Sequence, residues 1–132
     1  MTWKELDDLY QMKCEFQKGE ELVERLRLRA EPGAQRMTGM PHGSGVSDQV
    51  GDTAIAISDA EEELKDLKTQ IEQRETAVRE WIKTVENIET RIALRLRFLG
   101  GRSWKEVSRS MDKYYTVSRV QAMCYRIFLE GE

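Results

Sequence analysis

The carboxy-terminal part of the chain has side chains of the types that hydrogen-bond to nucleic acids. Residues 117–128 are predicted to form a helix, because apolar residues recur on one side, at Val120, Met123, Cys124 and Ile127. The residues on the outer side are small or polar: Ser118, Arg119, Gln121, Ala122, Tyr125 and Arg126. Arginine and glutamine make paired hydrogen bonds to base edges, small residues allow close approach, and tyrosine and arginine can hold phosphates. The pattern therefore predicts binding of double-stranded DNA, with this helix in the major groove.

Further polar residues precede this helix and could contact DNA phosphates. A shorter helix is predicted to begin at Trp104, because Ser103 with Glu106 three residues later forms the capping-box pattern. This stretch supplies four candidate DNA contacts: Arg102, Ser103, Lys105 and Arg109. At the start of the last helix, Thr116 and Ser118 are alternative N-cap residues, and both are also candidate DNA contacts.

Charge is distributed unevenly along the chain. The formal net charge is −3, but residues 91–132 hold nine Lys or Arg against four Asp or Glu. Residues 1–90 hold 12 basic and 20 acidic side chains. Because salt confines the field of exposed charges to roughly 10 Å at 0.1 M, the positive segment can attract phosphates although the whole chain is acidic.

Other kinds of site find little support in the residue types. Cys14 and Cys124 are far apart and His42 is the single histidine, so neither a zinc site nor a disulfide framework is predicted. His42 and Ser44 are the one pair that could supply a nucleophile and its base, and no rigid frame is predicted around them. We therefore expect no enzymatic activity, no catalytic residue, no metal and no cofactor.

The sequence also lacks the signals of a secreted or membrane protein. The first eight residues contain three acids and no signal-peptide core, and no run approaches the roughly 20 apolar residues of a membrane span. With two unpaired cysteines, the expected location is the reducing cytoplasm, without membrane association.

The first 90 residues are predicted to form a helical arm. It would consist of a helix over residues 2–29, a loop over 30–47 that contains both prolines, and a long helix from 48 to 90 that continues into the next module. In the long helix, apolar residues recur every seven positions: Ile57, Leu64, Ile71, Val78, Val85 and Ile92. This spacing predicts a coiled coil, with either a local break or a polar contact where Arg74 and Glu75 interrupt it. Its partner is either the first helix, folded back, or the same helix of a second subunit in a homodimer.

Residues 91–132 are predicted to form a separate module of three short helices around Trp104. Its first helix would bury one apolar face and stop at Gly100-Gly101, where glycine can adopt the left-handed conformation. The face consists of Ile88, Ile92, Leu96 and Leu99. The predicted fold is therefore all-α: an N-terminal antiparallel helical hairpin or coiled coil, with a long central helix leading into a C-terminal helix-turn-helix.

The stretch from Arg91 to Val107, RIALRLRFLGGRSWKEV, resembles the promoter-binding C-terminal helix-turn-helix of sigma factors. It departs from that pattern at Ser108, where alanine is usual, at Asp112, where glycine is common, and in a longer turn before Thr116. The wider layout, with its MPHGSG segment, resembles small phage and prophage transcription regulators of the ArpU/RinA late-regulator type. This resemblance implies a sequence-specific regulator of phage genes that works in the bacterial host cytoplasm and contacts host RNA polymerase.

A second hypothesis assigns the function to the arm. The chain would then be a coiled-coil interaction or assembly protein that recruits RNA polymerase or a phage packaging component without reading DNA bases. Deleting residues 91–132 distinguishes the two hypotheses. A DNA-binding regulator would lose its DNA binding, whereas an assembly protein would still capture its partner.

Overall fold

The computed structural model describes residues 1–30 and 44–130, and these residues form helices joined by short turns without any β-strand. The five α-helices are α1 Trp3–Ala30, α2 Ser44–Ile82, α3 Ile88–Leu94, α4 Trp104–Met111 and α5 Val117–Glu130. A π-helical turn, Arg95–Leu99, follows α3 directly. The prediction of an all-α chain is confirmed. The chain divides into a larger unit, Met1–Cys14 with Gln70–Glu132, and a smaller unit, Glu15–Thr69, so the predicted boundary at residue 91 falls inside the larger unit.

The predicted loop over residues 30–47 is only partly covered by the structure. Residues 31–43, including His42, lie outside the described residues. At the two ends, Ala30 is the last residue of α1 and Ser44 is the first residue of α2, so the prediction of a loop at residues 44–47 is wrong. A glycine lowers helix stability by about 1 kcal/mol without preventing a helix, and Gly45 therefore does not stop α2 from extending to Ser44.

Within the smaller unit, α1 and α2 are joined by apolar and ionic contacts. A Cβ atom added at Gly19 would lie 2.7 Å from Leu64 Cδ2, so the absence of a side chain at Gly19 makes room for Leu64. The Arg27 guanidinium is 2.7 Å from Glu61 Oε1. Val23 and Ile57 are buried. The sequence explains this core, because Leu64 and Ile57 belong to the seven-residue series.

In the larger unit, the expected polar contact near Arg74 is made by its neighbour. Glu75 is half-buried and lies 3.1 Å from Lys13 Nζ and 3.7 Å from Arg79. Arg74 itself is exposed. The Lys13 ammonium also donates to the carbonyl of Leu99, so Lys13 joins α1 both to α2 and to the end of the π-helical turn.

The long helix predicted to run to residue 90 ends at Ile82. The N–H groups of Thr84 and Val85 donate to the carbonyls of Trp81 and Ile82 at 2.9 and 3.0 Å, closing a tight turn. Asn87 then caps α3, because its side-chain oxygen accepts from the N–H groups of Glu89 and Thr90. The heptad spacing does not reveal this break, because Val85 lies in the turn and is nevertheless buried, as it would be in a continuous helix.

The break changes which face of α3 is buried. Ile88 and Ile92, predicted as core residues, are 58% and 42% exposed, and Leu96 and Leu99 are half-buried. The buried residues are instead Thr90, Ala93, Leu94, Arg97 and Phe98. The predicted face is therefore wrong. Because α3 starts afresh at its cap, its rotation does not follow the phase of α2, and the π-helical turn shifts the later residues further.

The predicted junction before α4 is confirmed in detail. Gly101 has φ of 67°, which is left-handed, and Arg102 N–H donates to the Leu96 carbonyl at 3.2 Å. Ser103 Oγ then accepts from Glu106 N–H, and a Glu106 carboxylate oxygen accepts from Ser103 N–H, both at 3.2 Å. The Ser103 hydroxyl also donates to the Glu106 carboxylate at 3.0 Å, and the backbone and side-chain hydrogen bonds that the carboxylate accepts from Ser103 hold the pKa of Glu106 below its ordinary value. The start of α4 is therefore fixed by local hydrogen bonds.

Candidate nucleic-acid interface

A cluster of aromatic rings holds α4 and α5 against the beginning of α1. The Trp3 ring stacks parallel to Trp104, with centroids 6.1 Å apart, and meets Phe98, Tyr125 and Phe128 edge-on at 5.6, 5.0 and 5.7 Å. Such edge-to-face and offset arrangements stabilise a core beyond simple area burial. Trp3 was not predicted to take part in this core, because no local spacing links residue 3 to residues about a hundred positions later.

A buried arginine lies beside this cluster. The Arg97 guanidinium carbon is 3.4 Å from the centroid of the Tyr10 ring and 4.6 Å from that of Trp104, so the cation is held between two aromatic faces. One terminal nitrogen donates to the Arg102 carbonyl at 3.2 Å, while Arg97 Nε makes no hydrogen bond to any described residue. Burial lowers the pKa of Arg97, and the nearby Tyr10 opposes this shift. Arg97 thereby connects α1 to the junction that precedes α4.

The turn between α4 and α5 is held by side-chain hydrogen bonds. Ser108 Oγ donates to the Tyr115 carbonyl, and Tyr115 N–H donates to the Asp112 carbonyl at 3.0 Å. Thr116 Oγ1 accepts from Arg119 N–H at 3.2 Å, so of the two alternative N-caps Thr116 starts α5. The serine at position 108, where the sigma-factor pattern has alanine, therefore ties α4 to the longer turn.

The outer face of α5 carries the predicted polar residues. Ser118, Gln121, Ala122, Tyr125 and Arg126 are exposed, while Val120 and Cys124 are fully buried on the opposite side. At 100° per residue, Ser118 and Ala122 lie along the middle of the outer face. One edge of this face carries Arg119 and Arg126, and the other edge carries Gln121 and Tyr125.

Several of the predicted contact residues already have partners within the chain. Arg119 donates to the Tyr114 carbonyl at 3.2 Å, and its guanidinium carbon is 4.8 Å from the centroid of the Tyr115 ring. Arg102 donates to Ser110 Oγ at 2.8 Å. Ser103 is engaged in the capping box, Thr116 caps α5, and Tyr125 packs on Trp3. Lys105 and Arg109 are exposed on α4.

The two edges of α5 border separate surface cavities. Gln121, Ala122 and Tyr125 line a cavity of about 380 Å³ together with Trp3 and Trp104. Arg126, on the other edge, lines a cavity of about 540 Å³ with the turn that follows α2. A ligand that covers the outer face of α5 would therefore contact an aromatic, amide-bearing edge and a cationic edge.

The buried side of α5 gives a test of the packing that orients this face. Burial raises the pKa of the Cys124 thiol to about 12, against a smaller opposing effect of Arg97. At pH 8 only about one Cys124 in ten thousand would be thiolate, the form that reacts. We expect a Cys14→Ser variant, whose one thiol is Cys124, to react with a thiol reagent at least about 100-fold more slowly when folded than in denaturant.

A Cys124→Ala variant is the matched control, because it leaves the half-buried Cys14 as the reporter. Immediate labelling of the folded Cys14→Ser protein would contradict the packing of α5. A second consequence concerns pH: because the unfolded thiol ionises near pH 8.5 and the folded thiol does not, Cys124 should reduce stability as pH rises above that value.

Over residues 1–30 and 44–130, no helix is long and apolar enough to cross a membrane. The same residues contain no group of three His, Cys, Asp or Glu side chains placed to hold a metal ion. In comparisons with known proteins, no family model, no curated protein and no solved structure matches the chain.

Proposed function

We propose that this protein is a sequence-specific DNA-binding regulator of transcription, in which α3, α4 and α5 form a helix-turn-helix and α5 lies in the major groove. The observation that carries the proposal is the outer face of α5. Over residues 118–126 it has small residues along its middle, hydrogen-bonding side chains at both edges, and a buried opposite side. A recognition helix needs this combination, because its centre must approach the bases while its edges reach them.

The contacts divide into base-reading and phosphate-binding groups. Gln121 and Arg126 are exposed at opposite edges of α5 and are assigned to base edges. Lys105 and Arg109, exposed on α4, are assigned to phosphates. Arg119 and Arg102 have hydrogen-bond partners in the chain. We therefore assign them mainly to stabilising the turns, with DNA contact as a secondary role.

The arm completes the proposal. Along α1, Gly19 and Arg27 contact Leu64 and Glu61 of α2, in falling order, which supports an antiparallel hairpin. The resemblance to phage and prophage late regulators extends the proposal to phage genes, to the bacterial host cytoplasm and to a contact with host RNA polymerase.

Binding to duplex DNA tests the proposal directly. The preferred sequence is selected from a pool of random duplexes, and affinity for it is then measured at several salt concentrations. We expect Arg126→Ala and Gln121→Ala each to weaken the free energy of binding to the preferred duplex by about 1–3 kcal/mol. Each should also relax the sequence preference at one base-pair position. Lys105→Ala should weaken binding to all duplexes alike. It should also reduce the slope of the logarithm of the binding constant against the logarithm of salt concentration by about 1.

Arg74→Ala is the matched control, because it also removes an exposed positive charge, but from α2. It should leave affinity and sequence preference unchanged. If the wild-type protein selects no duplex at low salt, the DNA-reading proposal fails. In that case, capture of RNA polymerase or a packaging component by a chain that lacks residues 91–132 would favour the assembly hypothesis.

A further inference from the structure

A groove of about 710 Å³ runs along one side of α1 and α2 within the smaller unit. We propose that this groove binds the same groove of a second copy of the chain, so that two α1–α2 pairs form a four-helix interface. The occupant is inferred from the residues that line the groove, and the inference does not depend on DNA binding.

The floor of the groove is apolar. It is formed by Phe16 and Val23 of α1 and by Leu64 of α2. Phe16 and Leu64 are only half-buried, so the seam between the two helices remains partly open to solvent. Covering it with another apolar surface would be favourable, and Leu64 belongs to the seven-residue series that is typical of helices packed in bundles.

The two rims of the groove carry opposite charges. On α1 the exposed rim residues are Glu20 and Glu24, and on α2 they are Lys65 and Lys68. The remaining charged lining residues balance in sign: Glu21 with Arg25, and Glu61 with Arg27. The Arg27 guanidinium is 2.7 Å from Glu61 Oε1 and also 3.8 Å from Glu24 Oε2. The groove therefore has an acidic side on one helix and a basic side on the other.

This charge pattern is self-complementary for one arrangement of two copies. If the two-fold axis runs parallel to the helices, α1 of each copy lies over α2 of the other. The acidic rim of α1 then faces the basic rim of α2 of the second copy. Glu20 lies within one helical turn of the level of Lys65, because Gly19 lies beside Leu64 and Arg27 beside Glu61. An axis across the helices would place acidic rim on acidic rim. Charge therefore selects the first arrangement, an isologous interface.

Charge reversal tests the proposal. The molar mass of the full chain is measured by light scattering over a range of micromolar concentrations, and we expect the wild type to reach twice its 15.4 kDa chain mass. Glu20→Lys/Glu24→Lys makes both rims basic, and Lys65→Glu/Lys68→Glu makes both acidic. Each variant alone should be monomeric. An equimolar mixture of the two should form a heterodimer, because each basic rim then faces an acidic one.

Glu62→Lys/Asp66→Lys is the matched control. Glu62 and Asp66 are exposed two residues on either side of Leu64, on the opposite side of α2. The control changes the net charge as much as Glu20→Lys/Glu24→Lys does, and it should remain dimeric.

Three results would overturn the proposal: a monomeric wild type, single-rim variants that stay dimeric, or a mixture that stays monomeric. Circular dichroism reports whether each variant keeps its helices. If a single-rim variant loses its helices, the test is made with a fourfold variant that combines both double substitutions. Its rims are again complementary, because their charges have been exchanged. Dimerisation of the fourfold variant supports the interface, and a monomer contradicts it.

Discussion

Replacing Phe98 by alanine is expected to lower the free energy of unfolding by about 3–5 kcal/mol, the usual cost of truncating a buried aromatic residue. Phe98 is 1% exposed, and its ring meets Trp3 and Trp104 edge-on at 5.6 and 6.1 Å. Removing it would leave a cavity where α1, the π-helical turn and α4 meet. The surrounding rings are rigid and can close such a cavity only partly.

The measurement is chemical denaturation followed by tryptophan fluorescence, since Trp3 and Trp104 both lie in the cluster. Tyr114→Ala is the matched control, because it also truncates an aromatic residue of the larger unit, but one that is 66% exposed. We expect Tyr114→Ala to lower the free energy of unfolding by less than about 1 kcal/mol. Equal losses for Phe98→Ala and Tyr114→Ala would contradict the arrangement of the aromatic cluster.

Local rules predict the junction before α4 from the sequence. Ser103 and Glu106 satisfy each other's backbone groups within one turn, and Gly101 supplies a conformation that other residues rarely adopt. These interactions involve neighbouring residues only, so the residue types are sufficient to identify them. The outer face of α5 was predictable for a similar reason, because helical periodicity separates Val120 and Cys124 from the polar side.

The phase of α3 could not be predicted in the same way. The seven-residue series continues through Val85 to Ile92, although the helix breaks between them and Ile92 is exposed. The signal of the break was Asn87, a preferred N-cap residue within an otherwise helical pattern. The spacing of apolar residues does not detect a turn whose apolar residue is still buried. An N-cap residue, in contrast, indicates where a new helix begins.

The least predictable features join residues that are distant in the chain. Trp3 packs on Phe128, and Arg97 lies over Tyr10, in both cases bringing α1 to the carboxy-terminal helices. The partners of Arg119 also depend on the path of the turn before α5. For the candidate interface, the sequence therefore indicates which side chains point outward but not which of them are already held by the fold.

Arg97 is the site of the second large expected effect, and two substitutions separate its packing from its charge. Arg97→Ala should lower the free energy of unfolding by about 2–5 kcal/mol, as for other long buried side chains cut to alanine. The side chain is 9% exposed and fills the space between Tyr10 and Trp104, which alanine would leave empty. Arginine remains charged at neutral pH even when burial lowers its pKa, so the native protein also bears the cost of desolvating this cation.

Arg97→Met keeps a long, flexible side chain in the same space and removes the charge. The lost attraction of the cation to the two rings, about 2 kcal/mol when desolvated, is offset because no charged group with an unpaired nitrogen has to be buried. The Arg102 carbonyl loses its donor, but this hydrogen bond is only part-buried and water can replace it. We therefore expect Arg97→Met to change the unfolding free energy by less than about 1.5 kcal/mol in denaturation experiments. If methionine proves as destabilising as alanine, the cation itself, rather than the volume it fills, holds α1 against the junction before α4.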